Sequence, residues 1–386
     1  MRKHITIFGN TNVGKSTLFN KLLGQEAAIV SEVSGTTTDP VTKSMELIPY
    51  GPVVLIDTAG LNDETELGEQ RTAKTLDIIK RTDLILYVRD VNCENVLEPI
   101  KFDKKIPIIP VFTKCDLADA KTLNSVSAEF PNSVLIFDYN EKSMESLQKR
   151  MIEELSEQER DDDTVIGNLM PKGSNIVMVC PIDSEAPKGR LILPQVQLIR
   201  DCLDYGMKAY VTTETTLSDA LNDLKRVDLV VTDSQAFRIV DKIVPKDIML
   251  TSFSMLLARQ KGNFDQLLKG AAKIDSLSNS SKILMLEGCT HNTSHEDIGK
   301  VKIPKLITKY LNGVAPQYEY YTGYNMPESL DGYDMIIQCG MCMINKQEIR
   351  SRLELAAEKG VPVTNYGIAL AKLNGILDRA AEIFNN

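Results

Sequence analysis

The sequence lacks the features that mark membrane, secreted and nucleic-acid-binding proteins. No apolar run is long enough to span a bilayer, and the first apolar stretch, residues 4–8, begins too early for a cleavable signal peptide to precede it. Positive charge is in deficit: 53 acidic side chains outnumber 44 Lys and Arg, which gives a net charge of -9. Nucleic-acid-binding surfaces usually carry a basic field. We therefore expect a cytoplasmic protein with neither a membrane nor a nucleic acid as its partner.

Cysteine is too scarce for a disulfide framework in a cytosolic chain of this size. Of seven cysteines, four stand alone in apolar or mixed surroundings, and we expect these to be small buried hydrophobic residues: Cys93, Cys115, Cys180 and Cys202. The other three lie near the C-terminus in a spacing that suits metal binding: Cys289, Cys339 and Cys342.

The chain of 386 residues is long enough for two or three domains. Short apolar runs alternate with helical patterns up to an acidic, core-free run at residues 156–163, which is the best linker candidate. A pattern of strand, polar turn and helix then recurs in two further blocks. We predict an α/β fold with mainly parallel sheets in three domains, residues 1–158, 168–265 and 266–386.

The N-terminal block contains a complete phosphate-binding loop. Residues 9–16 read Gly-Asn-Thr-Asn-Val-Gly-Lys-Ser and match G-x-x-x-x-G-K-[ST] between a predicted strand and helix. The glycines let backbone N–H groups converge on phosphate oxygens, and the helix N-terminus adds a favourable dipole. We expect Lys15 to contact the β- and γ-phosphates and Ser16 to bind Mg²⁺. The nucleotide-binding residues predicted in this segment are Asn10, Thr11, Asn12, Val13, Gly14, Lys15, Ser16 and Thr17.

Two further segments follow in the order expected of a small GTPase. Residues 35–39 read Gly-Thr-Thr-Thr-Asp, and one threonine, assigned here as Thr37, would bind Mg²⁺; an ordinary polar loop is the alternative. Asp57 and Gly60 follow an apolar strand, where Asp57 would hold Mg²⁺ through water and the Gly60 N–H would sense the γ-phosphate. The residues expected to carry hydrolysis are therefore Lys15, Ser16, Thr37, Asp57 and Gly60.

The base is expected to be guanine. Thr113, Lys114 and Asp116 follow the predicted strand at 108–112. Asp116 would accept the two guanine N–H donors, and the stem of Lys114 would cover the ring. A carboxylate in this position favours guanine because adenine presents no matching pair of donors.

The phosphate loop and Asp57-Thr58-Ala59-Gly60-Leu61 resemble the TrmE/Era-type GTPases, over residues 1–155. The resemblance implies a Ras-like P-loop domain that converts GTP to GDP with Mg²⁺. It also implies that Asn12 coordinates K⁺, which would supply charge where an arginine finger acts elsewhere; a tolerated loop residue is the alternative. Leu61 stands where Ras-like proteins have a water-positioning glutamine, so a carboxylate within residues 63–66 is the candidate for that task.

Two departures from the GTPase pattern concern the base site. Thr113 replaces the usual asparagine, from which we expect the loss of one tethering contact and a weaker affinity. The final base-contacting motif, usually Ser-Ala-Lys, is not visible, and Phe137-Asp138-Tyr139-Asn140 occupies its expected place.

The C-terminal block combines Cys289-Thr290-His291 with Cys339-Gly340-Met341-Cys342. Each group follows a predicted strand, and the carboxyl ends of parallel strands line one edge of a sheet, so the two groups can meet. The spacing is compatible with a [4Fe–4S] cluster and with zinc. His291 and His295 are the candidate fourth ligands, with a solvated imidazole as the alternative for each.

The whole chain resembles the HydF family, GTPases that mature [FeFe]-hydrogenase. The matching stretches lie in all three blocks: residues 186–194, 232–235, 251–254, 289–291, 339–342 and 365–367. The family pattern is C-x-H followed after a long spacer by H-C-x-x-C, whereas Gln338 stands here in place of the second histidine. The resemblance thus implies three cysteine ligands, with His291, a carboxylate, water or an exchangeable ligand as the fourth.

The same resemblance implies a Ras-like P-loop GTPase domain, a dimerisation domain that forms a homodimer, and a [4Fe–4S] domain. It further implies a scaffold that receives a transient di-iron precursor made with the radical-SAM maturases and delivers it to apo-[FeFe]-hydrogenase. An alternative is a regulatory GTPase for tRNA modification or ribosome assembly, with a structural zinc. A second alternative is a redox sensor whose cluster gates hydrolysis.

Overall fold

The computed structural model describes residues 2–24, 41–58, 78–93, 106–158, 164–182, 188–288, 298–341 and 344–385. The chain forms two compact units, Met1–Arg160 and Asp161–Asn386. The break between them lies within the acidic run that we expected to be a linker.

The first unit is built on a six-stranded sheet with the order β2-β3-β1-β4-β5-β6. Its strands are β1 Lys3–Gly9, β2 Val41–Leu47, β3 Gly51–Asp57, β4 Leu84–Asp90, β5 Ile108–Thr113 and β6 Val134–Leu135. Only β2 runs antiparallel, along β3, while the other paired strands are parallel. The central strands are apolar on both faces, as expected for parallel strands covered on both sides.

Helices α1 Lys15–Leu22, α2 Ala120–Glu129 and α3 Glu141–Glu157 accompany this sheet. Helix α1 follows β1 directly through the phosphate loop. Asn140 caps helix α3, because its side chain accepts a hydrogen bond from the Ser143 N–H. Leu147, Met151 and Leu155 recur at helical spacing and are fully buried in the core of the unit.

The second unit contains two four-stranded sheets in which all paired strands are parallel. The first sheet, in the order β10-β9-β7-β8, consists of β7 Asn175–Val179, β8 Lys208–Thr212, β9 Leu229–Thr232 and β10 Met249–Ser252. The second sheet, in the order β12-β11-β13-β14, consists of β11 Lys282–Glu287, β12 Gln317–Thr322, β13 Met335–Gln338 and β14 Val363–Asn365. The predicted fold class, an α/β chain with mainly parallel sheets, is confirmed.

Most helices of the second unit connect consecutive strands, and the last two follow β14. They are α4 Leu193–Asp204, α5 Leu217–Asp223, α6 Phe237–Ile243, α7 Phe253–Lys261, α8 Phe264–Ala271, α9 Ile303–Tyr310, α10 Lys346–Glu358, α11 Tyr366–Leu373 and α12 Leu377–Ala381. Within the described ranges, no helix has the length and apolar character needed to cross a membrane.

The two sheets of the second unit share one apolar core. Val177 and Val230 of the first sheet belong to the same buried cluster as Leu284 and Ile336 of the second. The predicted boundary between residues 265 and 266 therefore lies inside one compact unit, and its status as a domain boundary stays a prediction.

Three of the four isolated cysteines are buried as expected: Cys115, Cys180 and Cys202. Burial raises the pKa of the Cys115 thiol to about 11 and that of Cys180 to about 12, so both are neutral and unreactive. The expectation for Cys93 is wrong. This residue is exposed because it lies in a turn directly after β4, where its N–H donates to the Asp90 carbonyl.

Candidate functional site

The phosphate loop has a backbone conformation that only small residues permit. Gly14 has a left-handed φ of 91°, and a Cβ at this position would lie 2.1 Å from the Tyr139 hydroxyl oxygen. Gly9 lies against β4, where a Cβ would be 2.2 Å from the Val88 carbonyl oxygen. Both glycines of the motif are therefore required here for steric reasons.

Lys15, Ser16 and Asp57 meet at the start of α1. The Lys15 ammonium donates to the Asn10 carbonyl at 2.5 Å. The Ser16 hydroxyl donates to Asp57 Oδ2 at 2.9 Å. Burial lowers the pKa of Lys15, although the charge of Asp57 opposes this shift. Burial also raises the pKa of Asp57, against the hydrogen bond from Ser16 and the charge of Lys15.

The oxygen atoms at this point suit a magnesium nucleotide. Asp57 Oδ1 and Asn10 Oδ1 are buried, and neither has a hydrogen-bond partner among the described residues. A buried carboxylate oxygen beside a serine hydroxyl is the kind of oxygen donor set that Mg²⁺ prefers. The cost of burying Asp57 would be offset by such a cation. These residues therefore fit the cofactor that the sequence predicts.

Thr113 still tethers the phosphate loop. Its fully buried hydroxyl lies 2.7 Å from the Val13 carbonyl oxygen and 3.1 Å from that of Arg89. The threonine hydroxyl therefore provides a tether of its own, and the loss of one contact relative to asparagine stays a prediction. Thr113 ends β5, so its side chain lies close enough for a short hydroxyl to reach the loop.

Lys114 and Asp116 are held by different partners. Lys114 has a left-handed φ of 58°, and its ammonium donates to Asp90 Oδ2 at 2.7 Å. Burial of Asp90 opposes its ionisation, but the hydrogen bonds from Lys114 and from the Asn92 N–H outweigh burial and lower its pKa. Asp116 Oδ1 accepts a hydrogen bond from the Asp138 N–H at 3.1 Å.

The segment 137–140 contributes contacts that the sequence did not reveal. The Tyr139 hydroxyl donates to the Gly14 carbonyl at 3.1 Å, and Asp138 and Tyr139 both have a left-handed φ of 48°. This segment therefore lies against Asp116 and the phosphate loop, in the place expected for the final base motif. Its residue types differ from Ser-Ala-Lys, so the only sequence signal was its position before α3.

Several predicted site residues lie outside the described residues. They are Thr37, Gly60, Leu61 and residues 63–66 of the nucleotide site, and Cys289, His291, His295 and Cys342 of the metal site.

Cys339 is the described residue of the predicted metal site. It follows β13, and its Sγ accepts hydrogen bonds from the Gly288 N–H at 3.0 Å and the Met341 N–H at 3.2 Å. Gly288 follows β11 and directly precedes Cys289 in sequence, so the fold brings the two cysteine segments together. Backbone N–H groups that point at a sulfur favour its thiolate form, which is the form that binds metal. The described residues alone contain no group of three candidate metal ligands.

Gln338, which stands where the resemblance implies a second histidine, is buried at the carboxyl end of β13. It lies in register with Leu286 of β11 and Asn365 of β14. Its Oε1 has no hydrogen-bond partner in the part of the chain that the structure describes. Gln338 therefore places a polar acceptor at the sheet edge, next to Cys339.

Three of the stretches that carry the resemblance lie close together in the second unit. The hydroxyls of Ser234 and Ser254 are 2.7 Å apart. A Cβ on Gly367 would lie 1.9 Å from Ser254 Oγ, so only glycine lets α11 approach this pair. Asn365 caps α11 by accepting a hydrogen bond from the Ile368 N–H.

Family models match three consecutive parts of the chain. Residues 4–114 match the 50S ribosome-binding GTPase family. Residues 165–262 match the hydrogen maturase F dimerization domain, and residues 265–383 match the hydrogen maturase F tetramerization domain.

Two curated relatives are similar to part of the chain. GTPase Der of Kosmotoga olearia is 32% identical over 146 residues, which are 35% of this chain and 33% of the relative. The tRNA modification GTPase MnmE of Legionella pneumophila is 40% identical over 119 residues, which are 29% of this chain and 26% of the relative. The chain thus spans about a third or less of the length of these relatives.

Two solved structures are similar to part of the chain. The G domain of the T. maritima FeoB iron transporter has a TM-score of 0.32 and 23% identity, and covers 40% of this chain and 99% of that one. Era of Aquifex aeolicus has a TM-score of 0.32 and 19% identity, with coverage of 55% and 94%.

The two models specific to hydrogen maturase F match more than half of the chain, and they follow a GTPase domain that contains the phosphate loop. The third block is matched by a tetramerization domain, a form of self-association that the sequence reasoning did not reach. The chain belongs to the hydrogen maturase F (HydF) family of GTPases.

Proposed function

We propose that the protein is a GTP-hydrolysing scaffold that binds a [4Fe–4S] cluster and delivers a di-iron precursor to apo-[FeFe]-hydrogenase. The observation that carries this proposal is the setting of Cys339. Two backbone N–H groups donate to its sulfur, and one of them belongs to the residue that precedes Cys289. Family membership supplies the class of partner: the radical-SAM maturases as donors and the hydrogenase as acceptor.

The nucleotide would be held by the residues that meet at the start of α1. Lys15 would neutralise the phosphates, while Ser16 and Asp57 would hold Mg²⁺. Thr37 and Gly60 would complete the Mg²⁺ and γ-phosphate contacts. Asn12 would coordinate K⁺, a role supported by the resemblance to the TrmE/Era-type GTPases.

The cluster would be held by Cys289, Cys339 and Cys342, with His291 or another exchangeable group as the fourth ligand. A [4Fe–4S] cluster with three thiolate ligands has one iron that can take an external ligand. The polypeptide's own part is to fix the thiolates and stabilise their charge. Nucleotide hydrolysis would then control the exchange of partners rather than the chemistry of the cluster.

Self-association would bring two scaffold sites together. Residues 165–262, the dimerization domain, contain the β10-β9-β7-β8 sheet. Among the described residues no strand pairs with the outer edge of β8, and Val211 on this strand is 50% exposed. We propose that the homodimer forms through this edge.

The test is metal analysis of anaerobically purified protein together with a maturation assay. We expect about four iron and four sulfide ions per chain in the wild type, as the composition of a [4Fe–4S] cluster requires. Cys339→Ser should lose most of this iron. Lys15→Ala should retain the cluster but mature hydrogenase more slowly, because it no longer hydrolyses GTP.

Three results would contradict the proposal. Zinc at one ion per chain without iron or sulfide would favour a regulatory GTPase, the alternative supported by the similarity to Der and MnmE. A Lys15→Ala protein that cannot hydrolyse GTP and yet matures hydrogenase at the full rate would separate hydrolysis from maturation. GTPase rates that follow the cluster state, without transfer of iron, would instead indicate a redox sensor.

A further inference from the structure

A tyrosine hydroxyl lies at the N-terminus of the phosphate-binding helix. The Tyr139 hydroxyl donates to the Gly14 carbonyl at 3.1 Å. The same carbonyl accepts a hydrogen bond from the Leu18 N–H at 2.9 Å, the first helical bond of α1. Gly14 is the N-cap of this helix. Because glycine has no side chain, it cannot cap the N–H groups of the first turn, so these groups can donate to phosphate oxygens.

The Gly14 carbonyl and the Lys15 N–H belong to one peptide group. A peptide group is planar and trans, so its carbonyl and its N–H point in opposite directions. A donor that fixes the carbonyl therefore also fixes the direction of the Lys15 N–H, the first N–H of α1. In addition, a hydrogen bond accepted by a carbonyl polarises the peptide group and makes its N–H a stronger donor. The Tyr139 hydroxyl therefore acts on the phosphate site through this peptide group.

Tyr139 is itself fixed by its neighbours in sequence. The Asp138 N–H donates to Asp116, and the Asn140 side chain caps α3. These hydrogen bonds stabilise the left-handed φ of 48° that Tyr139 adopts, which costs free energy for a residue with a side chain. Burial, together with the charges of Asp116 and Asp90, raises the pKa of Tyr139. The hydroxyl consequently stays protonated at neutral pH and remains a donor.

We propose that Tyr139 is a positioning residue for the nucleotide phosphates. Its hydroxyl orients and polarises the peptide group between Gly14 and Lys15, so that the Lys15 N–H meets a phosphate oxygen without reorganisation. Donors that are already in place stabilise a bound anion most, because they need not move. The effect applies to GDP and GTP alike and does not involve the guanine base. Because Tyr139 lies in the first unit, this role is independent of the proposed cluster.

The test compares Tyr139→Phe with the wild type in the full-length protein. Phenylalanine keeps the ring and its packing, and removes only the hydroxyl. Tyr50→Phe is the matched control, because it removes another half-buried tyrosine hydroxyl of the first unit. Tyr50 directly precedes the amino end of β3, whereas the phosphate loop follows the carboxyl end of the parallel strand β1.

The measurements are nucleotide affinities and GTPase kinetics. Competition with a fluorescent GDP analogue gives the affinities for GDP and for inosine diphosphate, which lacks the 2-amino group of guanine. Steady-state hydrolysis gives KM and kcat for GTP. Circular dichroism of each protein checks folding.

We expect Tyr139→Phe to bind GDP and inosine diphosphate each about fivefold more weakly, as for the loss of one ordinary hydrogen bond. KM for GTP should rise by a similar factor with nearly unchanged kcat, because the contact serves the ground state and the transition state equally. Tyr50→Phe should remain close to the wild type in every measurement.

Three outcomes would overturn the proposal. The first is a wild-type GDP affinity in a folded Tyr139→Phe protein. The second is a loss of affinity for GDP without a loss for inosine diphosphate, because the hydroxyl would then act on the base. The third is a Tyr139→Phe protein that does not fold, since the hydroxyl would then be needed for the stability of the unit rather than for the phosphates.

Discussion

The phosphate loop is held in place by single hydrogen bonds from distant residues. Thr113 donates to the Val13 carbonyl and Tyr139 donates to the Gly14 carbonyl, so two consecutive peptide groups of the loop are fixed by side chains far along the chain. Each side chain is buried or half-buried, where a lost partner is costly. The loop therefore keeps a fixed conformation through these two residues, in addition to its glycines.

Replacement of Thr113 tests this tether. Thr113→Val has nearly the same shape but leaves the Val13 and Arg89 carbonyls without the hydroxyl donor. We expect a loss of about 1–3 kcal/mol of stability, the cost of an unsatisfied buried group. GDP affinity should fall by up to about tenfold, because the loop is less well ordered. Urea unfolding and titration with a fluorescent GDP analogue measure the two effects.

Thr113→Ser is the control for this prediction. Serine keeps the hydroxyl and loses only a methyl group, so stability and affinity should stay closer to the wild type than in Thr113→Val. Equal GDP affinities in all three proteins would show that the hydroxyl does not organise the nucleotide site.

At the scale of helices and strands, the buried strands were easier to predict from the sequence than the exposed edge strands. The apolar runs at residues 4–8 and 108–112 were predicted as strands, because buried strands are largely apolar. Strands β2 and β8 were missed. Both lie at sheet edges and are largely polar or exposed, so they lack that signal.

Site residues could be predicted from the sequence where they belong to a recognisable motif. Lys15, Ser16 and Asp57 were found because their motif has a fixed spacing, and the structure brings them together. Tyr139 was not found, since it contacts Gly14 of the motif from 125 positions away. Pairings over such distances depend on the tertiary fold. The contact that Thr113 makes was not predicted for the same reason: its reach depends on where β5 ends.

Strand β8 has an edge that suits a second copy of the sheet. The Lys208 N–H donates to the Ser174 carbonyl, and the Thr212 carbonyl accepts from the Cys180 N–H, so alternate residues from 208 to 212 bond to β7. The backbone groups of Ala209 and Val211 consequently point to the open edge. An open strand edge is either protected from pairing with a strand of another chain or used for such pairing.

Val211→Pro should abolish pairing at this edge. Proline removes the outward N–H of residue 211 and leaves the bonds to β7 in place, as edge strands permit. We expect the mass of the assembly to fall by half in light scattering after size-exclusion chromatography. Val211→Thr keeps the N–H and a β-branched side chain, so it should assemble like the wild type. An unchanged mass for a folded Val211→Pro protein would place the dimer interface elsewhere.

At the scale of the whole molecule, the chain consists of two units with separate cores. One buried cluster contains Ile5 and Leu86 of the first unit, and another contains Val177 and Leu284 of the second. We therefore expect two unfolding transitions. GDP with Mg²⁺ binds the first unit and should raise only the transition of that unit, which identifies it.

Acid should destabilise the first unit through His4. Burial lowers the pKa of this histidine to about 4, with Asp83 opposing and Arg81 reinforcing the shift. The folded state thus favours the neutral imidazole, while the unfolded chain takes up a proton near its ordinary value of 6.5. The stability contributed by neutral His4 is full above pH 6.5 and falls as the pH decreases from 6.5 to about 4.

At pH 5 linkage gives a loss of at most about 2 kcal/mol relative to pH 7.5. The GDP-sensitive transition should therefore shift to lower temperature between these two pH values, as measured by differential scanning calorimetry. His4→Gln cannot take up this proton and should show a smaller shift of that transition. The other transition serves as the internal reference, because His4→Gln should leave its pH dependence unchanged. Equal shifts of the GDP-sensitive transition in the wild type and His4→Gln would mean that acid acts on the first unit through its other ionisable groups.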